Sequence, residues 1–306
     1  MSYKFYNVDC FAWMQSYTEN SITAIVTDPP YGVREYSEQE IDKKRKGSGG
    51  IWRIPPSFDG HSRQPLPRFS VINDNAGERK NVYDFFYRWA ELAINLLVPG
   101  GHVFIASTPL LSDILSKSMR DAGFERRGEI IRTVVTLRGG DRPKGAEEEF
   151  PDVSVMPRGV WEPWGLYRKP ISEKTVADNL RKWKAGALRR QNDGTPFCDL
   201  LESTKTPKIE REIAPHPNVK PQLFLRKIVN AALPLSTGVI LDTFAGSGAT
   251  LAAAEHLGLN SIGIEKDSEF YKIGQTAIPQ LAMLYSSKTV NSPEQVTLFQ
   301  EEAYSL

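Results

Sequence analysis

Asp28-Pro29-Pro30-Tyr31 is the stretch of this chain best equipped for chemistry. A carboxylate followed by two prolines makes a stiff set of hydrogen-bond acceptors. Each ring fixes φ, neither proline donates an N–H, and the carbonyls beside Asp28 are held extended. Tyr31 adds a flat aromatic face on which a planar base can stack. Acceptors beside a stacking plane suit an exocyclic amino group on a nucleobase. The same four residues also fit a plainer reading, a rigid turn with Asp as its turn former.

The elements around the motif favour the first reading. Ile22-Thr23-Ala24-Ile25-Val26-Thr27 is short, apolar and rich in β-branched residues, as a buried strand of a parallel sheet would be. Asp28 then falls at the carboxyl end of that strand, where open α/β sheets bind their ligands. A second unit of the same kind lies far along the chain. Val239-Ile240-Leu241-Asp242-Thr243-Phe244 reads as a strand, Ala245-Gly246-Ser247-Gly248-Ala249-Thr250 as a glycine turn, and an alanine-rich helix runs on to about His256. Strand, glycine turn and helix together bring a ligand to backbone N–H groups at a helix N-terminus. A dinucleotide fingerprint places a third small residue at position 251, where Leu251 stands, which disfavours a nicotinamide cofactor. Asn260 to Glu265 reads as a further strand ending in a carboxylate, suited to accept hydrogen bonds from both hydroxyls of a ribose. An ordinary βαβ unit packed tightly at Gly246 and Gly248 is the alternative for this segment.

Taken together, Asp28 to Tyr31, Asp242 to Gly248 and Glu265 resemble the catalytic motif, cofactor loop and ribose-binding acid of S-adenosylmethionine-dependent DNA amino-methyltransferases. His216-Pro217-Asn218-Val219-Lys220-Pro221, just before the cofactor loop, extends the resemblance to the permuted β class, in which the catalytic motif precedes the cofactor motif. So do Asn7-Val8-Asp9-Cys10, Val98 to Ile105 and Trp161-Glu162-Pro163-Trp164. The resemblance covers about two thirds of the chain. It implies an α/β, Rossmann-like methyltransferase fold with a mostly parallel sheet, circularly permuted motif order and a small inserted target-recognition region. It further implies S-adenosylmethionine as cofactor, double-stranded DNA as partner, a homodimer as a frequent assembly, and site-specific methylation of the restriction-modification kind.

On this resemblance Asp28, Pro29, Pro30 and Tyr31 form the catalytic motif. Glu265 holds the ribose, Asp9 approaches the cofactor adenine, and Asp242, Phe244, Gly246 and Lys220 surround its methionine portion. Gly246 and Gly248 also follow from the glycine-turn argument. Asp in the first motif position is usual for enzymes acting on adenine N6, whereas Ser is commoner among those acting on cytosine N4. Adenine is therefore the expected target, with N4-cytosine methylation or a catalytically silent DNA-binding protein as alternatives. The amino group is out of reach inside a duplex, so the base must flip, with Tyr31 stacking on it. One departure stands out: where many members carry an aromatic in the strand near Ile130, this chain has Ile131-Arg132-Thr133. Trp52, Trp161 and Trp164 are the candidates for the missing wall of the base pocket.

Composition fits a single α/β enzyme. With 306 residues the chain has ample material for a large core. Its formal net charge is only +1, so any DNA footprint has to be local. Two cysteines, Cys10 and Cys198, are too few for a disulfide framework and suit a reducing, cytoplasmic setting. No run reaches membrane-helix length and the N-terminus lacks a signal-peptide layout. The sequence calls for no metal.

Strands are expected near 4–8, 22–27, 102–106, 129–137, 163–168, 238–243 and 261–265, and helices near 81–97 and 110–122. Pro99-Gly100-Gly101 is expected to end the first of these helices. Tyr83, Phe86, Trp89, Ala90, Ala93 and Leu97 recur at helical spacing and read as core. Organisation follows: 1–170 as the catalytic half with a DNA-contact loop at 34–80, 171–215 as the target-recognition insertion, 216–286 as the cofactor-binding half and 287–306 as a tail. Within 34–80, Lys43, Lys44, Arg45 and Lys46 form a basic run suited to phosphates. Within 171–190 six basic residues face two acidic ones, and Arg181, Lys182, Lys184, Arg189 and Arg190 are the expected DNA-facing side chains. A solvated surface is the alternative for both segments. A third candidate contact loop is Arg138 to Lys144.

Overall fold

The computed structural model describes residues 2–30, 34–35, 70–71, 76–136, 143, 145–155, 157 and 159–285. In chain order the strands are β1 (Tyr3–Asn7), β2 (Ile22–Thr27), β3 (Arg34–Glu35), β4 (Ser70–Val71), β5 (Leu97–Ala106), β6 (Glu125–Thr136), β7 (Gly159–Arg168), β8 (Leu200–Glu202), β9 (Val239–Asp242) and β10 (Asn260–Glu265). The helices are α1 (Cys10–Ser16), α2 (Ala76–Leu96), α3 (Ser112–Asp121), α4 (Val176–Trp183), α5 (Lys208–Ile213), α6 (Gln222–Ala232), α7 (Ala249–His256) and α8 (Ser268–Met283). All but β3 and β4, which pair with each other, join one eight-stranded sheet in the order β1-β10-β9-β2-β5-β7-β6-β8. Within it β7 alone runs against its neighbours. The α/β fold with a mostly parallel sheet is as expected.

The pleat of β2 explains the layers. All six of its residues are buried. Ala24 and Val26 face a core made with α6, α7 and α8. Ile22 and Ile25 face a second core made with α1, α2 and α3. A strand with apolar residues on both faces can only sit at the centre of a sheet covered on both sides. The carboxyl ends of β2, β9 and β10 share one rim of that sheet; the opposite rim is called the foot below.

β5 begins earlier than expected. Helix α2 ends at Leu96, and Leu97 already pairs with Ile22, while the next pairing joins Ala24 to His102. The intervening Val98-Pro99-Gly100-Gly101 bulges out instead of terminating the helix. Gly100 takes φ +83° there, and a Cβ on it would lie 2.5 Å from the Asn179 side chain. Asn179 is fully buried and clasps this bulge. Its Nδ2 donates to the carbonyls of Pro99 (2.9 Å) and Ala185 (2.8 Å), and its Oδ1 accepts from Ser172 N (3.2 Å). Nearby, Lys169 Nζ donates to Leu97 O (2.8 Å) and Asn20 Oδ1 (2.9 Å). Helix α4 is thus stapled to the foot of the sheet. Among the described residues, no helix is long and apolar enough to cross a membrane.

Asn179→Ala leaves two buried carbonyls and one N–H short of a partner, so it should lower unfolding free energy by on the order of 3 kcal/mol. Urea unfolding should show a lower midpoint at unchanged slope. An unmoved midpoint would show that the foot does not depend on this side chain.

Candidate active site

Two motifs far apart in sequence meet at the rim. β2 lies beside β9, with Ala24 opposite Ile240 and Ile25 opposite Leu241. Just above, Thr27 Oγ1 donates to Asp242 Oδ1 at 2.7 Å. The Thr27 and Thr243 hydroxyls are 3.4 Å apart, and Trp89 Nε1 donates to Thr243 Oγ1 at 3.1 Å. Trp89 is core, as its helical spacing implied, but its indole N–H also braces the rim. Asp242 accepts in addition from Phe244 N (3.1 Å), so its carboxylate shapes the turn from beneath. Burial pushes the Asp242 carboxyl up to about 6, against the hydrogen bonds from Thr250, Thr27 and Phe244 N that favour its ionised form.

The glycine turn follows directly. Gly246 and Gly248 have φ of +53° and +83°, the left-handed region that favours glycine. Neighbouring side chains close in as well: a Cβ on Gly248 would lie 2.3 Å from Ile278, and one on Gly246 3.1 Å from the His216 ring. Glu265 clamps the turn, accepting from Gly246 N (2.8 Å) and from Asp267 N (2.7 Å). Burial holds its carboxyl above the ordinary value. His216 stacks edge-on to Phe270 at 4.4 Å. Burial, with Lys220 nearby, lowers its imidazole to about 4, so the ring is neutral at physiological pH. Asn218 N donates to His216 Nδ1 (3.2 Å), which assigns the remaining ring proton to Nε2.

Phe244 lies 6.2 Å from Phe85, and Phe85 packs edge-on to Phe11 at 5.2 Å. Asp9 caps α1, its Oδ1 accepting from Phe11 N (3.0 Å) and Ala12 N (3.2 Å). It is on the same rim, since Val8 N donates to Glu265 O at 3.1 Å. Carboxylate acceptors, a backbone turn and half-buried aromatics side by side form a surface that fits a nucleoside carrying a charged tail.

Asp28 stands at the mouth of this rim. Lys220 Nζ (2.8 Å) and Asn218 Nδ2 (3.1 Å) converge on its Oδ2. Lys220 is buried, and its ammonium also reaches Glu162 Oε1 at 3.1 Å. Burial works to lower its pKa, but the two carboxylates outweigh this and raise it, so it stays charged. Glu162 Oε2 in turn takes Arg132 Nη1 at 2.7 Å. Arg132 donates onward to Ser203 Oγ (3.0 Å) and Thr204 O (2.9 Å) and lies 5.0 Å over the Phe224 ring. Sequence reasoning placed Lys220 beside a cofactor; in the structure its ammonium is engaged by Asp28 and Glu162. Asn218, Glu162 and Arg132 were not identified as site residues. The available signal was a charged side chain inside each of two otherwise sheet-forming segments.

Other expectations fall elsewhere. Arg181, Lys182, Lys184, Arg189 and Arg190, expected to face DNA, are not brought to the rim. Arg181 pairs with Asp178 and Lys182 with Glu173, each at 2.6 Å. Lys184 Nζ donates to Arg181 O and Arg190 Nη1 to Gly194 O, both at 2.8 Å, while Arg189 N binds Ala231 O (3.0 Å). Helix α4 hangs beside the Ile22 end of β2, and six strand residues put Asp28 roughly 20 Å away. Trp164 is fully buried against Phe224. Trp161 is half-buried opposite Thr133 on the rim. Tyr31, Lys43, Lys44, Arg45, Lys46 and Trp52 lie outside the described residues, as does the tail at 287–306. So does most of Arg138 to Lys144. Cys10 is buried, its thiol pushed up to about 12 by burial and by Asp9, which makes it inert as a nucleophile. Among the described residues no three His, Cys, Asp or Glu side chains gather to hold a metal.

Comparison with known proteins agrees with this arrangement. A family model described as "DNA methylase" matches residues 22–276. Among curated proteins the chain is 25% identical to the Type II methyltransferase M2.DpnII of Streptococcus pneumoniae over 268 residues, 87% of this chain and 86% of that one. It shares the fold of the cytosine-N4-specific PvuII DNA methyltransferase, with TM-score 0.59, 13% identity and 92% of each chain covered. It also shares the fold of M1.HpyAVI in its complex with S-adenosylmethionine, with TM-score 0.53, 18% identity and coverage of 90% and 98%.

Asp242 gives a pH test of the rim. Its folded carboxyl holds a proton more tightly than the unfolded one at 3.8, so its stabilising contribution is full below that pH. As pH rises through about 6 that contribution is lost, on the order of 3 kcal/mol in all. Asp242→Asn cannot ionise, so the stability difference between it and the parent should shift in the variant's favour between pH 4 and 6. Denaturant titrations across that range that stay parallel would refute the assignment.

Proposed function

The chain belongs to the DNA methylase family, and from that premise we propose that it transfers a methyl group from S-adenosylmethionine to N6 of adenine in duplex DNA, with the base flipped toward Asp28. The observation that supports this most is the meeting of two halves: the Thr27–Asp242 hydrogen bond sets Asp28 beside the Gly246 turn. Adenine is favoured over cytosine because the motif begins with Asp. Glu265, Phe244 and the backbone of Gly246 and Gly248 would hold the cofactor, with Asp9 at the adenine end. When bound, S-adenosylmethionine supplies an electrophilic methyl group on a sulfonium centre.

Everything else in the step is done by the chain. An aromatic amino nitrogen is a poor nucleophile because its lone pair is delocalised into the ring. Hydrogen bonds from its two N–H groups to Asp28 and to the Pro29 carbonyl pull the nitrogen toward tetrahedral geometry and free that lone pair. With Lys220 against Oδ2, Asp28 serves as an ionised, oriented acceptor, so catalysis is by positioning and electrostatics. Tyr31 is assigned the stacking face on the flipped base. The basic run Lys43 to Lys46, which follows the motif in sequence, is assigned the phosphate contacts.

Asp28→Ala should lower methylation by about 10³-fold or more while keeping thermal protection by S-adenosylhomocysteine. An active variant would sink the assignment. S-adenosylhomocysteine, and not NAD, should raise the melting temperature of the parent protein. Long-read sequencing of DNA from cells expressing the chain should reveal N6-methyladenine at one short motif; N4-methylcytosine there would overturn the choice of base.

A further inference from the structure

A lysine head on a four-carbon stem is a poor anchor unless something fixes it in turn. Lys220 touches the Asp28 carboxylate at 2.8 Å, and its second contact is Glu162 at 3.1 Å. Glu162 is itself fixed by Arg132 at 2.7 Å. The relay ends on a planar guanidinium held from three sides by Ser203 Oγ, Thr204 O and the Phe224 ring. Two anions and two cations alternate along it, and Lys220, Glu162 and Arg132 are all buried. Removing one member of such a set leaves an uncompensated charge, whereas removing a neutral pair does not.

We propose that Glu162 and Arg132 are positioning residues for methyl transfer, holding Lys220 and through it the rotation of the Asp28 carboxylate. The inference rests on the reading that Asp28 receives the amino group. Neither residue touches the reacting atoms. Glu162 sets where the Lys220 ammonium sits, and Arg132 sets the Glu162 carboxylate and balances its charge. Because Ser203 and Thr204 follow β8, the relay also ties the far edge of the sheet to the motif.

The test separates positioning from folding. Glu162→Gln is isosteric and removes the charge that holds Lys220. Its single-turnover methylation rate should fall about 10- to 100-fold, with KM for DNA and for cofactor within about twofold of the parent. Arg132→Met leaves two carboxylates sharing one ammonium, so the acid limb of its pH–rate profile should move up by about one pH unit. The double variant restores charge balance: its melting temperature and acid limb should return toward the parent while the rate stays low. Glu162→Gln at the parental rate, or a double variant whose rate recovers along with its stability, would overturn the proposal. If Arg132→Met does not fold, Glu162→Gln and the double variant decide alone. Asp28→Asn run in parallel keeps the two readings apart. An inactive Asp28→Asn beside a fully active Glu162→Gln defeats only the relay, whereas an active Asp28→Asn defeats the role of Asp28 itself.

Discussion

A buried ammonium between two carboxylates organises this molecule. Taking Lys220 out of water is expensive unless both Asp28 and Glu162 are present with good geometry. Satisfying it requires three remote parts of the chain to arrive at one point: the end of β2, the start of β7 and the segment leading into α6. Pro221 opens α6 immediately after the lysine. Thr206 Oγ1 donates to Val219 O (2.5 Å) and Glu210 Oε2 accepts from Gln222 N (2.9 Å), pinning the segment on both sides. The rim of the sheet is therefore polar by construction, with each buried charge answered by a neighbour.

The foot obeys a different rule. There the determining residue is neutral: Asn179 satisfies three backbone groups of a bulge and a helix end without any charge. His102, at the same end, is buried, and burial with Arg168 and Arg127 nearby lowers it to about 3, so it too is uncharged. Charge is present at the foot too, in Lys169 and in the partly buried Arg168–Glu125 pair, but the bulge itself is held by a neutral amide. The segment 171–215 serves both ends, beginning at the foot with α4 and finishing at the rim with Ser203 and Thr204.

Much of this was legible in the sequence. β2 was bounded to the residue by its β-branched run, and the strands at 239–242 and 260–265 and their glycine turn followed from pattern alone. The core role of Phe86, Trp89, Ala90 and Ala93 followed from helical spacing. Other features had no local signature. A basic helix reads the same whether it meets phosphate or water, and the sequence alone does not show that α4 is attached to the foot through Asn179. Lys220 and Arg132 read as a ligand contact and a departure from pattern, because a buried salt-bridge chain has no local signature: its partners come from segments up to 192 residues apart. Pro99-Gly100-Gly101 looked like a helix stop because a bulge uses the same residues as a turn.

The Thr27–Asp242 bond spans 215 residues of chain. At ordinary synthesis rates of about 5–20 residues per second, β2 leaves the ribosome roughly 10–40 s before the strand that completes its other side. During that interval a strand apolar on both faces has at most one of its two final neighbours to pair with, and none until Leu97–Ala106 has been made. The order of these strands along the chain thus carries a cost in the newborn chain rather than in the finished fold: the centre of the sheet is made early and shielded late.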